Sequence, residues 1–417
     1  MTATTPPLTV PGDKSIAHRA LILAALARGE SVVRNVPAGL DVRSTQRALS
    51  ALGVTFREAD GALLVSGCNG VLSAPGEPID CGNSGTTIRL LAGVLATRAL
   101  DVTLDGDASL RGRPMRRVAE PLAAFGAQIV LSPAGTAPLR VRGNPNAPAG
   151  DVAITIPSAQ VKSAVLLAAL NAHGVTRVHG AIATRDHTER LLRAFGVACE
   201  SDGTSLRIAG PAALQAAEID VPGDVSSAAF LLAAAAAVAG ARAVIDDLGL
   251  NPTRTAFLDV LRRFGADVTV EATASAPEPR GRVTVRGAAL RAITIAPDEV
   301  PGLIDELPLV GVLGAFAHGT TVVSGAAELR VKESDRIATF AAAARALGVE
   351  VETFDDGFAV RGPARFHGGA IVTAGDHRIA MAFAVAARAA SVDVRLDDPD
   401  CVAVSFPGFA VALDAVA

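Results

Sequence analysis

The sequence predicts an α/β chain of two similar domains, each made of three repeating units, and three observations carry that prediction. A helix-like apolar stretch ending in Leu-Gly or Phe-Gly, then a short alternating strand, recurs around Gly53, Gly126, Gly196, Gly265 and Gly348, roughly 70–80 residues apart. A break followed by a strand recurs at about the same spacing, near Gly29, Ala99, Gly174, Gly240, Gly319 and Ser391. The two halves also match each other: Val10 to Ser15 reads VPGDKS, Val221 to Ser226 reads VPGDVS, and each leads into an Ala/Leu-rich helical stretch.

Each element has a local cause. A glycine directly after a helical run supplies the left-handed C-cap, and the β-branched residues that follow favour a strand. Six such units fill the chain, and the sixth runs out beyond Pro407. The first domain is expected over residues 12–222, and the second over residues 1–11 with 223–417. The first ten residues are expected to lend the second domain a strand it otherwise lacks. A cleft between two such domains is a favoured ligand site, so an interdomain active-site cleft is expected.

Composition narrows the function. At 417 residues and 50% hydrophobic, the chain can bury large cores. A net charge of -4 carries no signature of nucleic-acid binding, and a chain without Trp or Tyr lacks the rings that stack on bases. Alanine causes most of the mean hydropathy of +0.39, and no apolar run reaches the roughly 18 residues of a spanning helix. The run Ala228 to Ala241 therefore reads as a buried helix. Met1 to Val10 shows no charged n-region or apolar h-region, which makes the cytosol the expected location. Cys68, Cys81, Cys199 and Cys401 are far apart with no CxxC pair, the pattern of separate structural thiols rather than a disulfide framework or zinc site. Of 38 basic residues only Lys14, Lys162 and Lys332 are lysines. These three are candidates for work a guanidinium cannot do.

Five constellations carry chemistry. PGDKSIAHRA, from Pro11, places Lys14, Ser15 and Arg19 at a helix start that Asp13 or Ser15 can cap, where backbone donors and the dipole favour an anion. An ordinary capped helix with a solvated lysine is the plain alternative. DCGNSGTTIR, from Asp80, brackets Asn83 and Ser84 with Gly82 and Gly85 and suits close backbone approach to a ligand; it is not a P-loop. LDGDASLRGRPMRRV crowds Arg111, Arg113, Arg116 and Arg117 around Pro114, which fits a first helical position. IPSAQVKSAVLLAAL puts Ser158, Gln160 and Lys162 at a helix start, and TRDHTERLL puts Arg185, Asp186 and His187 ahead of another, where caps are the plain alternative. In the second half, IDELP supplies Asp305 and Glu306. ELRVKESDRI packs Glu328, Arg330, Lys332, Glu333, Asp335 and Arg336 together, and GDHRIAMAFAVA opens a helix with Asp376, His377 and Arg378. The charged middle run reads either as a solvated surface or as a Lys–Glu pair able to act as acid and base.

Together PGDKSIAHRA, RVKESDRI and DHRIAMA resemble the 5-enolpyruvylshikimate-3-phosphate synthase family, in order from Thr9 to Phe409. The resemblance implies two domains of three βαβαββ-type units. It implies transfer of the enolpyruvyl group of phosphoenolpyruvate to shikimate 3-phosphate, with no metal or organic cofactor. Shikimate 3-phosphate would be held by Lys14, Ser15, Arg19, Ser158, Gln160, Arg185, Asp305 and Lys332, and phosphoenolpyruvate by Lys14, Asn83, Gly85, Arg113, Arg336 and Arg378. Asp305 would take the hydroxyl proton, and Glu333 with Lys332 or Lys14 would exchange a proton with the enolpyruvyl methylene. Glyphosate would compete at the phosphoenolpyruvate site. The implied partners are these small molecules alone, with no nucleic acid or membrane, and the chain is expected to be a monomer. Ala159 and Arg185 mark a subclass, and Val404 stands where some members have a substrate-contacting lysine. The rivals are a UDP-N-acetylglucosamine enolpyruvyl transferase and a non-catalytic anion-binding protein. No loop cysteine precedes Arg113-Pro114 as the first would have, and Lys14, Asp305 and Glu333, whose loss would favour the second, are present.

Overall fold

The computed structural model describes Pro6 to Val416. The chain forms two compact units, one of Gly12–Val221 and one joining the N-terminal stretch to Pro11 with the chain from Pro222 onward.

The unit Gly12–Val221 holds three four-stranded sheets of one design. A short edge strand runs parallel to a central strand, and a hairpin pairs antiparallel to the other side of that strand. In the second sheet the order is Ile79–Asp80, Asp101–Asp105, Leu139–Arg142, Gln128–Leu131. In the third it is Asp151–Ala153, Gly174–His179, Ser205–Gly210, Glu200–Ser201 reversed along the chain. The first sheet takes its parallel edge, Glu218–Asp220, from the far end of the unit, beside Arg28–Arg34. Inside lie the helices Lys14–Leu26, Gly85–Ala96 and Ala159–Ala169, buried on nearly every face. Their Ala- and Gly-rich sequence allows close approach: a Cβ on Gly93 would strike the backbone of Ala164 on the neighbouring helix.

The second unit repeats the design. Thr294–Ile295, Gly319–Val323, Gly357–Gly362 and Glu350–Phe354 form a full sheet. Arg242–Gly249, Arg280–Arg286 and Asp267–Ala274 form another, in which the parallel edge is reduced to two isolated bridges, Leu8 to Ile245 and Gly223 to Leu248. The strand expected from the first ten residues is thus a single bridge among the described residues, and Met1 to Thr5 lie outside them. Prolines 6, 7 and 11 flank Leu8, and each lacks the donor that would extend the ladder. The sixth repeat has only Gly369–Ile371 beside Val394–Leu396 before the chain passes into Phe409–Asp414.

Local signals act as their chemistry requires. Asp13 and Asp224, the aspartates of the repeated VPGD, each cap a helix of 13 residues, Lys14–Leu26 and Val225–Ala237. Gly126 and Gly265 take left-handed conformations at φ 76° and 113°. Two details differ from expectation. The Ala-rich helix stops at Ala237, not Ala241, because Val238 turns extended ahead of Gly240. Pro114 is not a first helical residue: the helix begins at Arg116 after the cap position Met115. Among the described residues no helix is long and apolar enough to cross a membrane.

Candidate active site

In the unit Gly12–Val221, side-chain hydrogen bonds cross-link the first turns of the three buried helices. His18 Nδ1 lies 2.6 Å from Thr45 Oγ1, which lies 2.6 Å from Thr87 Oγ1, which donates to Ser84 Oγ, the cap of Gly85–Ala96. Gln160 Nε2 donates to Thr86 Oγ1 at 2.9 Å, tying that turn to the next helix. Arg19 donates to Thr188 Oγ1, the Ser15 carbonyl and Ser163 Oγ at 2.7–2.8 Å. Three helix N-termini are therefore held at one end of the unit, and their dipoles favour a bound anion there.

The expected ligands of this half fall into linked groups. Lys14, the first residue of its helix, pairs with Asp41 at 2.7 Å and keeps 19% of its side chain exposed. Ser15 beside it is half-buried. Arg113 Nη2 donates to Asn83 Oδ1, whose amide donates to Asp107 Oδ2 at 2.8 Å. Arg89 Nη1 donates to Gln160 Oε1 at 2.7 Å. A Cβ on Gly85 would lie 2.9 Å from Arg89 Nη1 and 3.1 Å from Arg113 Nη1. Asn83, Gly85 and Gln160 thus surround the largely buried side chains of Arg89 and Arg113. Ser158 caps the helix Ala159–Ala169, and Arg185 sits on the connection just before His187–Ala194.

His18 gives this region a pH signature. Complete burial lowers its pKa from 6.5 to about 3; Asp41 and Asp13 oppose the shift, and Lys14 and Arg19 add to it. It is neutral when folded, so between those two values unfolding takes up a proton. Stability then falls as the pH falls, by up to about 1.4 kcal/mol per unit. His18→Gln is expected to flatten that acid limb in a plot of unfolding midpoint against pH. An unchanged slope would place the acid sensitivity elsewhere.

In the second unit the charged runs converge. Asp305, 17% exposed, lies 3.7 Å from Arg336 Nη1 and 3.7 Å from Arg378 Nη2, and its carbonyl accepts from Arg378 Nη1 at 3.0 Å. Arg336 is only 1% exposed; it donates from Nε to Asp376 at 2.8 Å and from Nη2 to Glu333 at 2.6 Å. Burial works against its charge, but Asp376, Glu333 and Asp305 outweigh burial and raise its pKa. Lys332 keeps a quarter of its side chain exposed (25%), and desolvation still lowers its pKa against the pull of Asp305 and Glu328. It pairs with Glu328 at 3.7 Å, whereas Glu333 pairs with Arg336. The charged run is therefore not simply a solvated surface. Beneath it, Ser226 Oγ bonds Glu306, which lies 3.7 Å from Arg378, and Arg254 donates to Ser226 at 2.7 Å. Val404 ends the turn Pro399–Val404 and offers no charge.

Sequence reasoning did not assign Asp41, Arg89, Asp107, Glu306, Arg254 or Asp376 to the site. Glu306 and Asp376 read only as residues at helix starts, and Asp376 does cap His377–Ala390; nothing local distinguishes the others.

Two units of repeated βαβαββ design are the architecture of the enolpyruvyl transferases. An enolpyruvyl transferase, NikO from Streptomyces tendae, superposes with a TM-score of 0.77 at 18% identity, covering 99% of this chain and 94% of its own. The family model for EPSP synthase (3-phosphoshikimate 1-carboxyvinyltransferase) matches residues 3–413, and the chain belongs to that family. A 3-phosphoshikimate 1-carboxyvinyltransferase from Anaeromyxobacter sp. (strain Fw109-5) is 49% identical over 410 residues, 98% of this chain and 95% of the relative. The structure of EPSP synthase from Acinetobacter baumannii matches with a TM-score of 0.86 at 38% identity, covering 99% of this chain and 95% of that one.

Proposed function

We infer that this chain transfers the enolpyruvyl group of phosphoenolpyruvate to the 5-hydroxyl of shikimate 3-phosphate, releasing phosphate, in the shikimate pathway to chorismate and the aromatic amino acids. We propose that it does so as a cytoplasmic monomer. The observation that carries the chemistry is Asp305, held 3.7 Å from each of two guanidiniums. The carboxylate can accept a proton, and the guanidiniums beside it are suited to an incoming phosphate and carboxylate.

In this reading phosphoenolpyruvate meets Lys14, Asn83, Gly85, Arg113, Arg336 and Arg378. Shikimate 3-phosphate meets Lys14, Ser15, Arg19, Ser158, Gln160, Arg185, Asp305 and Lys332. Asp305 takes the 5-hydroxyl proton as that oxygen bonds the central carbon of phosphoenolpyruvate. Glu333, with Lys332 or Lys14, gives a proton to the methylene carbon. The tetrahedral adduct then loses a methyl proton to the same group as its carbon–phosphate-oxygen bond breaks, which restores the enol ether. The depressed pKa of Lys332 suits a group that both gives and takes a proton.

The test is phosphate release with both substrates, with each omitted in turn and with UDP-N-acetylglucosamine in place of shikimate 3-phosphate. Release only with the shikimate ester is expected; release with the nucleotide sugar alone would overturn the reading. Gly85→Ala should raise both the KM for phosphoenolpyruvate and the inhibitory concentration of glyphosate, because the new methyl displaces the tips of Arg89 and Arg113. Unchanged inhibition would remove Gly85 from the site.

A further inference from the structure

Lys162 is one of the three lysines and has no role in the chemistry above. Its ammonium is completely buried and pairs with Glu189 Oε1 at 2.7 Å (side chains 0% and 5% exposed). It also donates to the carbonyls of Thr184 at 3.0 Å and Ile182 at 3.4 Å. Three acceptors match the three donors of an ammonium, a set that the planar fork of arginine does not fit. The other Glu189 oxygen is buried with no hydrogen-bond partner, so Lys162 is the cation that holds that carboxylate. A buried ion pair is weak evidence of stability and invites a search for another role.

The place of these acceptors supplies one. Ile182 and Thr184 lie on the connection between the strand Gly174–His179 and the helix His187–Ala194, and Glu189 lies in the first turn of that helix. The connection is tightly folded: Ala181 has φ 52°, and Thr184 N and Oγ1 both donate to the Ala181 carbonyl. Arg185 follows Thr184 directly, so the chain is held to Lys162 on both sides of it. Lys162 itself belongs to the helix Ala159–Ala169, whose first turn carries Gln160 and whose cap is Ser158.

We propose that Lys162 is a positioning residue that fixes Arg185 in register with Ser158 and Gln160, so that the three engage one shikimate 3-phosphate. This rests on the substrate assignment of Arg185 made above. The ammonium contacts no substrate; it acts by clamping two carbonyls and a carboxylate from beneath the connection.

The test is the neutral pair Lys162→Met with Glu189→Gln, which removes the clamp without stranding a buried charge. Far-UV circular dichroism first establishes that the variant is folded. Hydrogen exchange over residues 181–186 should then be faster than in the parent. The KM for shikimate 3-phosphate should rise about ten- to a hundredfold, with the KM for phosphoenolpyruvate and kcat little changed, as expected for a misplaced substrate contact. Arg185→Ala should raise the same KM in the parent and add little in the neutral-pair background. Lys162→Arg should not restore the parent value. Unchanged exchange in the folded pair variant overturns the clamp. Faster exchange with an unchanged KM, where Arg185→Ala does raise it, overturns the positioning role alone. If Arg185→Ala leaves the KM unchanged in an active enzyme, the role falls together with the substrate assignment it rests on.

Discussion

Replacing Asp305 by Asn is expected to lower kcat by about a hundredfold or more, as for loss of a general base. The amide keeps the shape of the carboxylate but cannot accept the hydroxyl proton. The affinity for phosphoenolpyruvate should not fall with it. Asp305 lies 3.7 Å from both Arg336 and Arg378, so neutralising it leaves two guanidiniums less compensated and the attraction for an anion undiminished. Steady-state phosphate release against each substrate separates the two effects. An unchanged kcat would move the base to Glu333, and a rise in both KM values would mean that Asp305 serves binding instead.

Asp376→Ala is expected to destabilise the second unit by about 3–5 kcal/mol, the usual consequence of breaking a buried ion pair from one side. The partner left behind, Arg336, is 1% exposed, and Asp376 is fully buried. The same carboxylate accepts from Arg378 N at 2.9 Å, capping the helix His377–Ala390, and from Ser334 Oγ at 3.0 Å. Asp376→Asn should lose less, since an amide oxygen can still serve the cap. Urea unfolding followed by circular dichroism should show the transition of this unit moving to lower denaturant. A shift below about 1 kcal/mol would mean that Glu333 and Asp305 alone hold the Arg336 charge.

The repeat was legible because its markers are local. A glycine after a helix and an aspartate before one act within a single turn, so the duplicated VPGD announces two equivalent buried helices without tertiary information. The cap at Asp376 and the placement of Asp305 and Glu306 just ahead of Leu307–Phe316 were legible for the same reason. The pairings were not. Lys14 finds Asp41 across 27 residues, and Arg89 finds Gln160 across 71. No periodicity encodes such distances. Burial of charge was equally hidden: ELRVKESDRI gives no sign that Arg336 is enclosed while Arg330 turns to the carbonyls of Phe354 and Asp355. Pro114 misled because proline favours both a first helical position and the turn before one, and only the fold decides between them.

The borrowed edge strand of the first sheet sets a timetable for synthesis. Arg28–Arg34 gains its hairpin neighbours soon after it leaves the ribosome, but its parallel partner, Glu218–Asp220, emerges about 190 residues later. At ordinary elongation rates that is a wait of roughly ten to forty seconds, during which one row of backbone donors and acceptors stays open. Such an edge invites pairing with a neighbouring nascent chain. Arg28, Glu30 and Arg34 give this strand charges at both ends, the usual protection for an open edge. In the other unit the debt runs the opposite way, since Leu8 is made first and Ile245 comes later to meet it. The vulnerable interval of this protein's birth therefore belongs to its first unit, and it ends when Val221 donates to the carbonyl of Arg34.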